Sequence, residues 1–288
     1  MNRRDFLQTV ATTVPVAAAT SWLTRPPQAT PPRKAKDAAE RVLDTRRISC
    51  SYAPADPFLM KDPNTGKLSG IFYDLTNRIG ELADLDVSWD IEATYGTFGE
   101  DLRLHKCDVY ASCVWPDANR AKVANFSVPA FYSGMNLYVR SNDRRFDGDI
   151  DKINNPAYRV ATIDGEMSTF VQQSDFPKAS TLSVPDGTDI SVACENVASG
   201  KADVAILDKS YAALYLRKNP GKLRLLTDTR PIRIFENTWA IAYESQRFKT
   251  MLDVAIKTLL YSGYVDKILA KYEPVPGSFY RASMPIEH

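Results

Sequence analysis

The chain has 288 residues, of which 44% are hydrophobic and 25% are charged. This balance is typical of a globular protein with a buried core and excludes a disordered or fibrous chain. The formal net charge is +1 and no long basic run occurs, so the sequence offers no electrostatic surface for nucleic acid.

The first 29 residues have the order of an export signal: a basic start, a weakly apolar stretch over residues 10–23 and a Pro-rich end. Within it, the segment from Asn2 to Gln8, NRRDFLQ, resembles the twin-arginine export signature. Residues 1–29 are therefore predicted to direct export by the twin-arginine machinery and to be removed, which leaves the protein in the periplasm. The Pro-, Lys- and Ala-rich residues 30–45 are predicted to form a tether.

The body of the chain from Arg46 onward alternates between predicted strands and helices. Strands are predicted over residues 48–52, 87–91 and 107–114. A helix that Asp74 can cap lies between the first two, with Leu75, Ile79 and Leu82 on one face. A strand–helix–strand order of this kind predicts a mainly parallel sheet.

The same order returns in the second half of the chain. Strands are predicted over residues 159–163 and 202–207, joined by a helix that begins at Thr188 or Asp189 and stops at Gly200. The pattern predicts a second α/β lobe. The final segment from Trp239 predicts a short strand followed by an amphipathic helix.

The four cysteines show no pattern of a metal site or of a disulfide framework. They are Cys50, Cys107, Cys113 and Cys194, with no CxxC spacing and no nearby histidine. We predict buried free thiols. Since the sequence also has no phosphate-binding loop and no nucleophile elbow, it predicts no cofactor.

Four segments, taken in order, carry a resemblance to a known family. The first two are ISCSYAPADPFLMKDPNTGKLSGIFYDLTNRIG and KCDVYASCVWPDANRAKVANFSVPAFYSG, and the last two are GKADVAILDKSYA and SGYVDKILAKYE. They resemble type II periplasmic solute-binding proteins of the polar amino-acid group. The resemblance implies an α/β fold of two lobes, each with a mainly parallel sheet flanked by helices. Lobe 1 is then residues 46–133 plus 236–288 and lobe 2 is residues 134–235, with two hinge crossings and a ligand cleft between them.

The resemblance also implies a function and partners. It implies the solute-binding component of an ABC-type uptake system, a monomer that captures a small polar ligand, an amino acid or a relative, by closing its lobes. Its partner is then a membrane permease, or a membrane receptor if the protein serves in sensing. Cyclohexadienyl dehydratases share this scaffold, so a lyase with Glu166 as its acid is the alternative.

Two charged residues match the family positions that hold a zwitterionic ligand. A buried charge without a partner is costly, so such a site needs a fixed cation and a fixed anion. The resemblance implies that Arg120, twelve residues after Asp108, binds the carboxylate, and that Asp208, five residues after Asp203, binds the ammonium group. The alternatives are a solvated surface arginine and a helix-capping aspartate.

Five further residues match ligand-contact positions by the same resemblance. Ser112 and Cys113 stand at the end of a predicted strand, and Tyr52, Tyr95 and Trp115 match aromatic contacts, although each aromatic residue can equally belong to the core. Trp115 departs from the family pattern, which has Ser or Thr there. One hydroxyl donor to a carboxylate is therefore missing.

The glycine turn of the second lobe also departs from the family pattern, because it reads GEMST over residues 165–169. Either Glu166 and Met167 face the ligand, or Ser168 and Thr169 supply hydroxyls after a two-residue shift. A glutamate at this position repels a carboxylate. The ligand is accordingly predicted to be an amino acid, an amine or another polar metabolite.

Overall fold

The computed structural model describes residues 37–226 and 230–282, which form a mixed α/β fold. The helices are α1 (Ala38–Thr45), α2 (Ile71–Ala83), α3 (Phe98–Arg103), α4 (Met167–Asp175), α5 (Ser191–Ala198), α6 (Lys209–Lys218), α7 (Gln246–Tyr261) and α8 (Tyr264–Tyr272). The strands are β1 (Arg47–Tyr52), β2 (Met60–Lys61), β3 (Leu68–Ser69), β4 (Asp86–Glu92), β5 (Val109–Val114), β6 (Ala124–Phe126), β7 (Phe131–Arg140), β8 (Arg159–Ile163), β9 (Ser180–Val184), β10 (Val204–Asp208), β11 (Leu223–Leu225), β12 (Arg233–Ala242) and β13 (Phe279–Arg281). The predicted α/β class is confirmed, and the predicted export signal lies outside the described residues.

Eleven of these strands form one continuous sheet. Its main path is β4-β1-β5-β12-β7-β10-β8-β9, and the short strands β6, β11 and β13 pair with β12 or β7. Strands β4, β1 and β5 are parallel in lobe 1, and β10, β8 and β9 are parallel in lobe 2. The antiparallel pairs of this sheet all involve β7 or β12. The parallel part is therefore limited to three strands in each lobe.

Strands β7 and β12 connect the two lobes. Their antiparallel pairing extends from Phe131 opposite Asn237 to Met135 opposite Arg233. Beyond this pairing, β12 continues along β5 and β7 continues along β10. The crossings predicted at residues 133–134 and 235–236 both fall inside the pair, while the exact lobe boundaries stay predictions.

The predicted tether over residues 30–45 is wrong for its last eight residues, which form helix α1. Ala38, Ala39 and Val42 are fully buried in the core of lobe 1, because they share the helix face that packs against β1 and α7. Arg41 adds an ion pair with Asp108 at 2.9 Å. The folded body therefore begins before the predicted start at residue 46.

Helix α2 begins three residues earlier than the predicted cap at Asp74. The backbone N–H groups of Ile71 and Phe72 donate to the carbonyls of Pro57 and Phe58 at 3.2 and 2.8 Å. Gly70, the residue before the helix, allows this approach, since a Cβ there would lie 2.8 Å from the Phe58 carbonyl oxygen. The carboxylate of Asp74 instead accepts a hydrogen bond from the Lys271 side chain at 2.7 Å.

All four cysteines are buried free thiols, as the spacing predicted. Burial raises the pKa of Cys50, brings that of Cys107 to about 11, and brings those of Cys113 and Cys194 to about 12. These thiols therefore stay protonated near neutral pH. In the part of the chain that the structure describes, no helix is long and apolar enough to cross a membrane.

Candidate ligand-binding site

A cleft of about 820 Å³ lies between the two lobes. Lobe 1 contributes residues 53–56 and 92–95 to its walls, and lobe 2 contributes residues 186–192 and part of α6. The first three segments lie at the carboxyl ends of the parallel strands β1, β4 and β9. Open α/β sheets bind ligands at these ends, so the cleft has the position of a ligand site.

Acidic side chains dominate the charge of the cleft walls. Two lysines line the cleft, and one of them, Lys61, is ion-paired with Glu92. Against these two stand six carboxyl groups, those of Asp56, Glu92, Glu166, Asp186, Asp189 and Glu195. A cleft with this imbalance attracts positively charged molecules.

A second, smaller cavity of about 30 Å³ adjoins the inner end of the cleft. It has room for water but not for an amino acid. Three residues, Tyr95, Glu166 and Tyr211, line both spaces. The other residues around the inner cavity are Cys113, Trp115, Arg120 and Met167. Six of the nine predicted contact residues are therefore brought together here.

Trp115 fills the position where the family pattern has a small hydroxyl side chain. Its ring stacks on Phe235 with centroids 4.9 Å apart, and its Nε1 donates to Oδ1 of Asn237 at 3.0 Å. Both partners lie on the connecting strand β12. The indole thus belongs to the hinge region while one side of it lines the inner cavity.

The guanidinium group of Arg120 lines the inner cavity but is already held by protein groups. Its Nη1 donates to the carbonyl of Trp115 at 2.8 Å, and its Nη2 donates to the carbonyl of Gly165 at 2.7 Å. Its Nε lies 3.4 Å from Oδ2 of Asp117. Because Trp115 belongs to lobe 1 and Gly165 to lobe 2, Arg120 links the lobes, and two of its five N–H donors are taken by backbone carbonyls.

Glu166 stands between the cleft and the inner cavity. Burial raises the pKa of its carboxyl to about 8, with the charge of Asp186 adding to the rise and that of Arg120 opposing it. Asp186 accepts a hydrogen bond across the lobes, from the backbone N–H of Gly96 to Oδ2 at 2.9 Å. Its Oδ1 is buried and has no hydrogen-bond partner among the described residues. The inner end therefore holds two neighbouring acidic groups with unused acceptor capacity.

The glycine turn presents Glu166 and Met167 to the inner cavity. The hydroxyls of the next two residues are bonded to the end of β8 instead: Ser168 accepts from the N–H of Ile163 at 3.2 Å, and Thr169 donates to its carbonyl at 2.8 Å. Of the two alignments left open by the sequence, the structure has the one without the shift.

Asp208 caps helix α6 and does not line either cavity. Its Oδ1 accepts hydrogen bonds from the backbone N–H and the hydroxyl of Ser210 at 2.8 and 2.6 Å, whereas its Oδ2 is buried without a hydrogen bond of normal geometry among the residues described, although the hydroxyl of Ser133 is near enough to lower the pKa of the carboxyl. Burial raises its pKa to about 6 despite the hydrogen bonds from Ser210. The structure thus shows the capping role that was the alternative to ammonium binding.

Tyr52 and Ser112 also line neither cavity. Tyr52 is buried and packs edge-on against Trp89 with centroids 6.0 Å apart. Ser112 is buried and its hydroxyl donates to the carbonyl of Ala53 at 2.9 Å, which fixes the start of a cleft wall. In this structure both residues lie in the core beneath the cleft walls and do not face the cleft.

Two prominent wall residues, Asp186 and Tyr211, were not among the sequence predictions. Asp186 opens the turn Asp-Gly-Thr-Asp directly after β9, so its position at a parallel strand end was the available signal. Tyr211 lies in the first turn of α6, three residues after the predicted Asp208. The hydrophobic periodicity of a helix does not by itself distinguish a tyrosine that lines a cleft from one that packs in the core.

The comparison with known families adds to this geometry. The sequence pattern of "Bacterial extracellular solute-binding proteins, family 3" matches residues 48–274. This chain belongs to that family. The match covers both predicted lobes and both strands of the hinge, so the cleft described above is the interlobe cleft of a family 3 solute-binding protein.

Similar proteins agree with this family assignment. The chain is 25% identical over 238 residues to the amino-acid-binding protein AabA of Dichelobacter nodosus, covering 81% of this chain and 90% of that one. Among solved structures, an ancestral amino acid-binding protein described as a precursor of cyclohexadienyl dehydratase has a TM-score of 0.72 at 20% identity, covering 82% and 99% of the two chains. A substrate-binding protein of an amino acid ABC transporter from Streptococcus pneumoniae, bound to L-arginine, has a TM-score of 0.70 at 20% identity, covering 86% and 100%. These structures share the fold.

Proposed function

We propose that this chain is the solute-binding component of an ABC-type uptake system and binds an amino acid or a related polar metabolite between its lobes. The observation that carries the proposal is the charged cleft of about 820 Å³ between two lobes that a single strand pair connects. Family membership and relatives named as amino-acid-binding proteins support it. The partner is a membrane permease, and the protein acts as a monomer.

The decisive experiment is to identify the small molecule that the purified protein releases on denaturation. Returned to the ligand-free protein, this molecule should bind stoichiometrically by calorimetry and raise the melting temperature, because a ligand of the native state stabilises it. A purified protein that releases nothing, and whose melting temperature no amino acid or amine changes, would argue against a solute-binding role.

We also propose export through the twin-arginine pathway, on the strength of the segment NRRDFLQ. Replacing Arg3 and Arg4 together by Lys should leave the precursor in the cytoplasm, because the pathway reads the guanidinium pair. Cell fractionation and immunoblotting measure this. The control is Arg33→Lys, the same substitution outside the motif, which should be exported normally. Normal processing of the double variant would contradict the assignment.

A cyclohexadienyl-dehydratase-like lyase is the second candidate, and one observation favours it. A carboxyl with a pKa of about 8, that of Glu166, is largely protonated at neutral pH and can donate a proton in the cleft. The discriminating test is to incubate the released molecule with the protein and recover it. Unchanged recovery supports a binding protein, whereas loss of water or carbon dioxide that Glu166→Gln abolishes supports the lyase.

A further inference from the structure

The cleft is built for a positive charge rather than for a carboxylate. Six carboxyl groups and two lysines line it, and with Lys61 paired to Glu92, five carboxyl groups remain against Lys218. A ligand that brings a negative charge into this wall meets repulsion, whereas a cation gains from every carboxylate nearby. The charge of the wall therefore favours a cationic ligand.

The strongest position for a cation is the inner end of the cleft. Glu166 and Asp186 both line the cleft, and they are close enough for the charge of Asp186 to act on Glu166, while Arg120 in the adjoining inner cavity offsets part of this negative charge. The buried Oδ1 of Asp186 has no partner among the described residues. An ammonium or guanidinium group placed between the two carboxyls supplies the missing donor to Asp186 and favours the ionised form of Glu166, so binding of the cation is coupled to loss of the Glu166 proton.

Two tyrosine rings flank the same position. The hydroxyls of Tyr95 and Tyr211 both lie near the sulfur of Cys113, at 3.0 and 3.9 Å. Both tyrosines line the cleft, and the ring of Tyr95 already has one cation near it, the guanidinium group of Arg120 at 6.0 Å from the ring centroid. Aromatic rings attract cations when water is excluded.

The groups that would receive a carboxylate are partly engaged or carry a negative charge. Arg120 lies in the inner cavity and donates to two backbone carbonyls, those of Trp115 and Gly165. The N-terminus of α4, a natural anion site, carries the acidic side chain of Glu166. The anion-binding half of a zwitterion site is therefore weak here, and the cation-binding half is strong.

We propose that the ligand is an organic cation whose ammonium or guanidinium group lies between the carboxyl groups of Glu166 and Asp186, beside the rings of Tyr95 and Tyr211. This inference rests on the proposed solute-binding function and names the chemical class of the solute. On this proposal the cleft selects its ligand by positive charge, whether or not the ligand also has a carboxylate.

The test is a calorimetric panel of probes matched in shape but not in charge. The cations are L-arginine, L-lysine and agmatine, which is arginine without its carboxylate, and the others are L-citrulline, L-glutamine and L-glutamate. We expect at least one cation to bind, and L-citrulline, the neutral near-isostere of arginine, to bind about tenfold or more weaker than L-arginine. Equal binding of citrulline and arginine, or a preference for glutamine or glutamate, would overturn the inference.

Two variants test whether Glu166 and Asp186 hold the positive group of the ligand. Glu166→Gln and Asp186→Asn each remove a carboxylate with little change in volume, and each should weaken the tightest cation by about tenfold or more. Glu81→Gln, an exposed residue of α2 paired with Arg78, should bind like the wild type. Unchanged affinity in both cleft variants would place the cation elsewhere and overturn the assignment. Melting temperatures like that of the wild type would show that both variants are folded.

The panel also separates this inference from the proposed function. If neutral or acidic probes bind and cations do not, the protein is a solute-binding protein and the cation assignment is wrong. If no probe binds, the cation assignment is also overturned, and the molecule released on denaturation then decides by itself whether the solute-binding function stands.

Discussion

Glu166 is the residue whose protonation should change most when a cation enters the cleft. Its pKa of about 8 results first from burial and then from the charge of Asp186, while Arg120 opposes the rise. The neutral groups that face it are Tyr95, Tyr211 and Cys113, whose own pKa values burial raises far enough to keep them protonated. The carboxyl of Glu166 is thus the one of these groups that titrates near neutral pH.

We predict that Glu166 makes the ligand-free protein less stable as the pH rises from about 5 to about 8. Folding raises its pKa from 4.5 to about 8, so across this window the native state holds a proton that the unfolded chain has lost. The free energy of unfolding therefore falls with rising pH. Urea unfolding at pH 5 and pH 8.5 should show a smaller fall in Glu166→Gln than in the wild type.

Asp208 provides the internal control for this measurement. Burial raises its pKa to about 6, so Asp208 also lowers the free energy of unfolding as the pH rises, but at more acidic pH than Glu166. Asp208 is present in both the wild type and Glu166→Gln, so its contribution is the same in both and does not affect their difference. An identical pH dependence in wild type and Glu166→Gln would show that Glu166 has an ordinary pKa in the folded protein.

Residues at this scale were predictable where their spacing carried information. Arg120 was predicted from its position twelve residues after Asp108 in the sequence, and in the structure it lines the inner cavity. The sequence could not show that its Nη2 donates to the carbonyl of Gly165, because this partner depends on how the lobes meet. The same limit applies to Asp186, whose acceptor role involves Gly96 of the opposite lobe.

Helix α1 is an element that the sequence prediction assigned wrongly, and α3 and β9 were not predicted at all. Its Ala- and Lys-rich surroundings suggested a tether, and only three of its residues are buried. The alternating strands and helices were easier to predict from the sequence, because each buries one regular face. In α2, for example, Leu75 and Ile79 are buried as predicted. Leu82 of the same predicted face is 43% exposed, since it lies at the end of the helix, where the packing surface stops.

We predict that Val42→Ala destabilises the protein by about 1–2 kcal/mol, because it removes buried methyl groups from the contact between α1 and the lobe 1 core. The neighbouring substitution Leu43→Ala, at an exposed position, should change the free energy of unfolding little. Urea denaturation of the two variants measures the difference. Equal effects would mean that α1 does not contribute to the folded body.

At the scale of the whole molecule, two hydrogen bonds to or from charged side chains are among the contacts that join the lobes at the cleft. Arg120 reaches the carbonyl of Gly165, and Asp186 reaches the backbone N–H of Gly96. Gly96 has no side chain to keep Asp186 away: a Cβ there would lie 2.6 Å from its Oδ2. An alanine at this position would therefore push the Asp186 carboxylate away from the Gly96 N–H that it accepts from.

We predict that Gly96→Ala hinders closure and weakens ligand binding by about tenfold, since one hydrogen bond to a carboxylate is lost. Solution scattering should show a decrease in the radius of gyration when ligand saturates the wild type, and a smaller decrease in the variant. Glu100→Ala, on the exposed surface of the adjacent helix α3, serves as the control. A full decrease in Gly96→Ala would show that this contact does not limit closure.

The burial of all four thiols makes the molecule suitable for site-directed labelling. Because Cys50, Cys107, Cys113 and Cys194 are enclosed and protonated near neutral pH, a maleimide dye should react far faster with a cysteine introduced on the surface. One introduced cysteine on each lobe would give a fluorescent reporter of the interlobe distance, with every natural cysteine left in place.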